Sequence, residues 1–367
     1  MDFIKKNSVH LIQRMGMVTV KQLVDDLFAS NVLSGEEMNT IVCEKTQQDA
    51  SRMMIFMVLN KGSEACRILV KALEKQNPFL YQDLYGYCGL IDGIHNLINI
   101  EKLIFDNIKM NESDAKKLAE SIKLLKKLHL LHLSHLTDIG DGMRCIVRAI
   151  SAELGDLEEI HLVNCCLSGD AVEILAQNLC NLPKLNVLDL SENYLGKDGK
   201  VAVRKLANSL NILPNMKVLM LPWGDDVNIC LSELLVQLKT MPQLTKLGLN
   251  RWSLTDVEVK VLGTFFEKTP LEDLQHLDLA MNCVTSNGWL SFIQALVNLN
   301  KLRFLDFSSK CDLVPDPLLI CKMSQVLTTL NYLKEIRLTG WKLDDHDLGL
   351  ISDAKVSCGK EFQLVNS

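Results

Sequence analysis

Leu185-Asn186-Val187-Leu188-Asp189-Leu190-Ser191-Glu192-Asn193-Tyr194-Leu195 is the stretch that decides how the rest of the chain is read. Leucine stands at its first, fourth, sixth and eleventh places and asparagine at the ninth. The fourth and sixth places are two apart, so on a strand both side chains point the same way, into a core. The third, fifth and seventh point the other way. The ninth place falls where the strand ends and backbone groups lose their ladder partners. A small polar side chain buried there can bond them.

Working outward, the same spacing of apolar residues returns nine times, starting at Ile100, Leu128, Leu157, Leu185, Met216, Leu244, Leu274, Leu302 and Leu333. The step from one start to the next is nearly constant, which is the mark of a repeat architecture. Leu157 to Leu167 fits the pattern with Cys165 in the asparagine slot, and Leu274 to Val284 fits with Asn282. Between strands the period changes to that of a helix with one buried stripe: Ala115, Leu118, Ala119 and Ile122, or Val259, Leu262, Gly263 and Phe266. Thr255 and Glu258 make a capping-box signature ahead of the second of these. This is a leucine-rich repeat pattern. Units of this length leave room for a full helix opposite each strand. The expectation is an α/β horseshoe of ribonuclease-inhibitor type, each repeat burying its apolar face against its neighbours.

The fifth place of each strand then lines the concave face. It reads Ile104, His132, His161, Asp189, Met220, Gly248, Asp278, Asp306 and Arg337, a mixed row suited to binding another protein.

Composition agrees with a repetitive, leucine-based interior. Of the 367 residues, 48% are hydrophobic but only 5% aromatic. The net charge of −6 argues against the basic stripe that nucleic-acid binding needs. The start, Met1-Asp2-Phe3-Ile4-Lys5-Lys6, does not read as a secretory signal. No apolar run approaches the roughly 18 residues of a membrane span. Twelve cysteines with no C-x-x-C pair read as reduced thiols, which places the protein in the cytosol.

Residues 1–88 have another texture. Val20, Leu23, Val24, Leu27 and Phe28 share a helical face, as do Ala65, Ile68, Leu69, Ala72 and Leu73. Ser34-x-x-Glu37 is a capping box, Thr46-x-x-Asp49 is similar to one, and Ser63 after Lys61-Gly62 is expected as an N-cap. A sixth short segment follows Pro78 through Leu80 and Leu84. Six short helices and no strand signal predict an all-α bundle. Residues 89–99, with Gly89, Gly93 and the asparagines Asn96 and Asn99, read as a linker, and 100–367 as the repeat array.

The bundle resembles a caspase recruitment domain (CARD) of the death-fold superfamily. Residues 10–28, from His10-Leu11-Ile12-Gln13-Arg14 to Asp25-Asp26-Leu27-Phe28, are similar to CARD-containing proteins of the NLR inflammasome family. So are Leu103 to Glu112, Leu157-Glu158-Glu159-Ile160 and Met220-Leu221-Pro222-Trp223-Gly224 in the repeats. The resemblance implies assembly through charge-complementary CARD faces. Arg14 and Arg52 would form the basic face, on helices one and four. Asp25, Asp26, Glu36 and Glu37 would form the acidic one, on helices two and three. It implies a CARD-containing inflammatory caspase or adaptor as partner, full-length NLR proteins or a second copy of the chain as others, and a role in inflammasome, pyroptosis and apoptosis signalling. The repeats would sense, restrain or dock.

Full-length members carry a nucleotide-binding NACHT module between CARD and repeats. Here Gly196-Lys197 and Gly359-Lys360 are followed by Asp198 and Glu361, so neither completes a phosphate-binding G-x-x-x-x-G-K-[ST] loop. A short form is expected, with no ATP or ADP. His129, His132 and His135 are crowded in sequence, but strand alternation should keep them apart, and no metal is expected. No nucleophile–base arrangement suggests an enzyme. A decoy that caps CARD filaments and a ribonuclease-inhibitor-like clamp are the rival readings.

Overall fold

The computed structural model of the chain describes residues 2–78, 80–81, 91, 93–269, 271–358 and 362–366. It divides into two compact units, Met1–Leu90 and Ile91–Ser367.

The first unit holds helices α1 (Asp2–Arg14), α2 (Met17–Ala29), α3 (Gly35–Val42), α4 (Gln47–Asn60) and α5 (Ser63–Gln76). The stripes read from the sequence turn inward. Leu11, Leu23, Leu27, Ile41, Met54, Val58 and Leu69 form one core. The Ser34 capping box is complete: the Ser34 Oγ accepts from the Glu37 amide at 3.2 Å, and a Glu37 carboxylate oxygen accepts from the Ser34 amide at 2.8 Å. Thr46 caps α4 by accepting from the Asp49 amide at 3.1 Å. Ser63 is corrected from N-cap to first helical residue. The cap is Gly62, whose φ of +95° is a backbone conformation that favours glycine. Of the sixth segment, Leu80 is buried with the bundle and Tyr81 packs against it; Leu84 lies outside the described residues.

The second unit is a single parallel sheet with strands in chain order: β1 (Lys102–Asp106), β2 (Leu130–Ser134), β3 (Glu159–His161), β4 (Val187–Asp189), β5 (Val218–Met220), β6 (Lys246–Gly248), β7 (His276–Asp278), β8 (Phe304–Asp306), β9 (Glu335–Arg337) and β10 (Gln363–Val365). From β2 to β9 each strand pairs in the register of the repeat: Leu131, Ile160, Leu188, Leu219, Leu247, Leu277, Leu305 and Ile336 stand side by side. All eight are fully buried. Helices from Glu112–Ile122 to Asp345–Cys358 alternate with the strands and bury one face on the same continuous core.

One boundary and the strand count differ from the sequence reading. Ile91 and Ile94 were expected in a linker; both are buried in the core of the array. A tenth strand follows the nine. Leu364 pairs with Ile336 at the fourth place, but Glu361 and Asn366 stand at the first and sixth, so the apolar pattern does not register.

The ninth place does what its chemistry requires. The Asn193 amide donates to the carbonyls of Leu162, Leu190 and Ser191 at 2.6, 2.9 and 3.1 Å, and its oxygen accepts from the amides of Cys165 and Leu167 at 2.9 and 3.1 Å. Asn282 repeats the arrangement on Leu249, Leu279 and Leu254. The Cys165 thiol donates to the Leu133 carbonyl at 2.6 Å. Two tryptophans use the same slot: Trp252 donates to Pro222 at 3.1 Å and Trp341 to Phe307 at 2.9 Å.

Candidate functional site

In the bundle, Arg14 ends α1, Asp25 and Asp26 lie on α2, Glu36 and Glu37 open α3, and Arg52 lies on α4. The six charges are not equivalent. Asp25 and Glu36 are exposed, and neither carboxylate meets a hydrogen-bond or ion-pair partner among the described residues. Arg14 is exposed at the end of its helix. Arg52 is exposed and pairs with Asp49 at 2.7 Å, one helical turn away. Asp26 is tied into the bundle: one oxygen accepts from Gln76 at 2.6 Å, the other meets Lys75 at 3.2 Å. The Gln76 hydrogen bond, reinforced by Lys75 against partial burial, holds its carboxyl below the ordinary range. Glu37 closes the capping box and meets Lys61 at 2.9 Å. The Ser34 amide, then Lys61, hold its carboxyl down as well. Asp26 and Glu37 therefore stabilise the bundle whatever else they do. The tie of Glu37 to Ser34 was legible as a capping box, but Lys61, and the Gln76 and Lys75 partners of Asp26, come from distant parts of the chain and leave no local signal.

On the strand face of the array, the fifth-place residues line up across neighbouring strands as read. Ile104 is 58% exposed. His132 and His161 lie with ring centroids 5.1 Å apart. His161 reaches Glu159 at 3.4 Å and Asp189 at 3.9 Å. Asp189 and then Glu159 raise its pKa against the opposing effect of burial. His132 goes the other way: burial lowers its pKa and the charge of His161 adds to this. Asp189 is pushed up by burial, but His161 and the Ser191 hydroxyl, which donates to it at 2.6 Å, prevail and hold it low. Next in the row is Met220. A side chain at Gly248 would collide with the Met220 thioether, within 2.8 Å of its sulfur, so the glycine lets Met220 lie across it.

Toward β9 the face changes character. His276 stacks on Phe304 at 4.1 Å with the rings 8° from parallel, and the Arg337 guanidinium lies 4.9 Å from the centre of Phe304. Burial, then Lys246 and Arg337, depress the His276 pKa to about 4. Asp278 and Asp306 are side by side on β7 and β8. Burial, with the neighbouring Asp306 carboxylate adding to it, raises the Asp278 pKa to about 6 despite the Ala280 amide. Arg337 pairs with Glu335 at 2.5 Å.

His129, His132 and His135 do not converge. His129 contacts the Asp156 carbonyl at 3.2 Å and His135 the Asn164 amide at 3.3 Å. Among the described residues, Asp344, His346 and Asp347 are close enough together to share an ion. Asp344 and Asp347 already bond each other's backbone amides at the start of a helix. Also among those residues, no helix is long and apolar enough to cross a membrane.

The sequence reading missed one surface cluster. Tyr194 and Trp223 pack together across the turns that follow β4 and β5, with centroids 4.4 Å apart and ring planes tilted by 33°. They come from successive repeats but stand at unlike places in them, so periodicity alone does not pair them.

A helical recruitment bundle joined to a leucine-rich repeat array defines the class of protein. The caspase recruitment domain model matches residues 1–87, and that of the NLRC4 LRR domain matches residues 70–357. NLR family CARD domain-containing protein 4 of Bos taurus is 56% identical over 266 residues, 72% of this chain and 26% of the relative. The Mus musculus protein is 53% identical over 263 residues, 72% of this chain and 26% of the relative. That of Xenopus tropicalis is 42% identical over 267 residues, 73% and 27%. The chain belongs to the family of NLR family CARD domain-containing protein 4, and it spans about a quarter of the length of these relatives.

Proposed function

We propose that the chain is a cytosolic innate-immune scaffold whose CARD engages the CARD of an inflammatory caspase or adaptor in inflammasome signalling. The array serves as its protein-docking and restraining surface. The observation that carries this reading is the CARD match over residues 1–87, within which Asp25 and Glu36 stand exposed on α2 and α3. Arg14 and Arg52 on α1 and α4 supply the opposite charge. One exposed ion pair contributes about 0–1 kcal/mol. A filament repeats the contact, so small increments accumulate. With no phosphate-binding loop in the sequence, recruitment on this reading needs no nucleotide, and the full-length members' exchange step does not gate it. Inflammasome nucleation and filament capping are the two directions the same contact can take.

The purified chain mixed with a fluorescent partner CARD tests this. Faster polymerisation indicates nucleation, and slower or shorter filaments indicate capping. The double variant Asp25→Lys, Glu36→Lys should abolish either effect. Kinetics that stay unchanged over a wide range of chain concentrations would sink the proposal.

A further inference from the structure

Only one of the four tryptophans fails to bury itself among the described residues. Trp252, Trp289 and Trp341 are 4% exposed or less, whereas Trp223 is half-buried at the surface of the array. One of its neighbours is Tyr194, itself 51% exposed, whose hydroxyl donates to Asp225 at 2.9 Å. The Arg251 guanidinium lies 5.4 Å from the Trp223 ring centre. Tyrosine, tryptophan and arginine are the residues that dominate the energetics of protein interfaces, because they offer large rigid area with a polar edge. Trp223 packs partly against the core of the array, but the exposed Tyr194 and Arg251 gathered beside it do not belong to that core.

Beside this cluster a cleft opens between the turns after β3 and β4. Tyr194 forms one wall, and Glu192 and Asp198, both exposed, contribute carboxylates. Neither carboxylate has a hydrogen-bond or ion-pair partner among the described residues. Lys197, next to Asp198 in the chain, is not among the lining residues. An aromatic wall beside unpaired carboxylates attracts a flat cation: the ring face carries negative charge, and the carboxylates supply the counterion. The molecule already shows half of the arrangement, with its own Arg251 placed over Trp223.

We infer that this cleft is a docking pocket for an arginine side chain presented by a partner protein. The guanidinium would stack on Tyr194, extending the row Arg251–Trp223–Tyr194 by one more plane, and pair with Glu192 and Asp198. The inference rests on reading the array as a protein-docking surface and adds the chemistry of what docks. A guanidinium is favoured over an ammonium because it can stack and bond two carboxylate oxygens at once.

The test uses the full chain and three fluorescein-labelled probes, Gly-Arg-Gly-Arg-Gly, its lysine counterpart and its glutamate counterpart, followed by anisotropy. The arginine probe should bind more tightly than the lysine one, and the glutamate probe should not bind. The double variant Glu192→Lys, Asp198→Lys alters only exposed side chains and should weaken the arginine probe about tenfold or more. Tyr194→Leu should remove the preference for arginine over lysine. Asp353→Lys, an exposed charge reversal on the Asp345–Cys358 helix, should have little effect. The inference is overturned if the arginine probe shows no saturable binding, or if Asp353→Lys weakens it as much as the double variant. CARD polymerisation is read separately, so failure here leaves the recruitment reading standing and failure there leaves this one.

Discussion

Asp278 costs the fold stability at neutral pH. Its carboxyl titrates at about 6 in the folded chain against an ordinary 3.8. The folded state thus holds a proton that the unfolded state has released, and stability falls as pH rises from about 4 to 6. Asp278→Asn keeps a group able to accept from the Ala280 amide and removes the charge. It should stabilise the array by about 1–3 kcal/mol at pH 7 and by nothing near pH 4, measured by urea unfolding at the two pH values. His161 carries the opposite sign. Its pKa is raised, chiefly by Asp189, so its contribution is present below its unfolded pKa and fades as pH rises through the folded one. The ring resonances of His161 in Asp189→Asn should therefore titrate at lower pH than in the parent. Asn193 contributes through bonds rather than charge. Asn193→Ala orphans buried carbonyl and amide groups on two repeats, and should cost about 3 kcal/mol or more in unfolding free energy. The asparagine's task was legible from its place at the strand end. The pKa of Asp278 was not, because it depends on how deeply a fifth-place side chain is covered and on Asp306, a neighbour one repeat further along the chain.

At the scale of elements, the strands and the helix stripes follow from spacing alone, since a period of two or of 3.6 residues is a property of nearby side chains. The turn between them was not legible. Asn107, His135, Asn164, Glu192, Arg251 and Met281 occupy the eighth place of their repeats with φ between 50° and 59°, and Gly340 does so at 83°. No shared residue type marks that place, so sequence shows nothing, yet the left-handed backbone there recurs where the chain leaves the strand. Gly340→Ala would bring a Cβ within 2.7 Å of the Ser309 carbonyl oxygen at a φ that disfavours it. The expected cost is about 1–3 kcal/mol, read as a lowered unfolding midpoint. In the bundle, Asp25→Lys and Asp26→Lys should separate. The first should leave thermal stability nearly unchanged. The second should lower it by severing α2 from Gln76 and Lys75 on α5.

For the molecule as a whole, each unit carries its own core, the bundle's from Ile4 to Leu80 and the array's from Ile91 to Phe362. Residues 1–90 produced alone should unfold in one cooperative transition, seen by far-ultraviolet circular dichroism during heating. The array is a chain of joints, since each repeat buries its face against the next. In the joint between the second and third repeats, Cys165 stands in place of asparagine. Its buried thiol, with a pKa pushed up to about 12 chiefly by burial, stays protonated and donates to the Leu133 carbonyl. Oxidation of this sulfur through the sulfenic acid to the sulfinate would replace a donor with an anionic acceptor and set oxygen against oxygen. The array's endurance at that joint is therefore a matter of chemical access: while the repeats stay closed the thiol is out of reach, and an opening long enough for two successive equivalents of peroxide to carry the sulfur to the sulfinate would be made permanent by it.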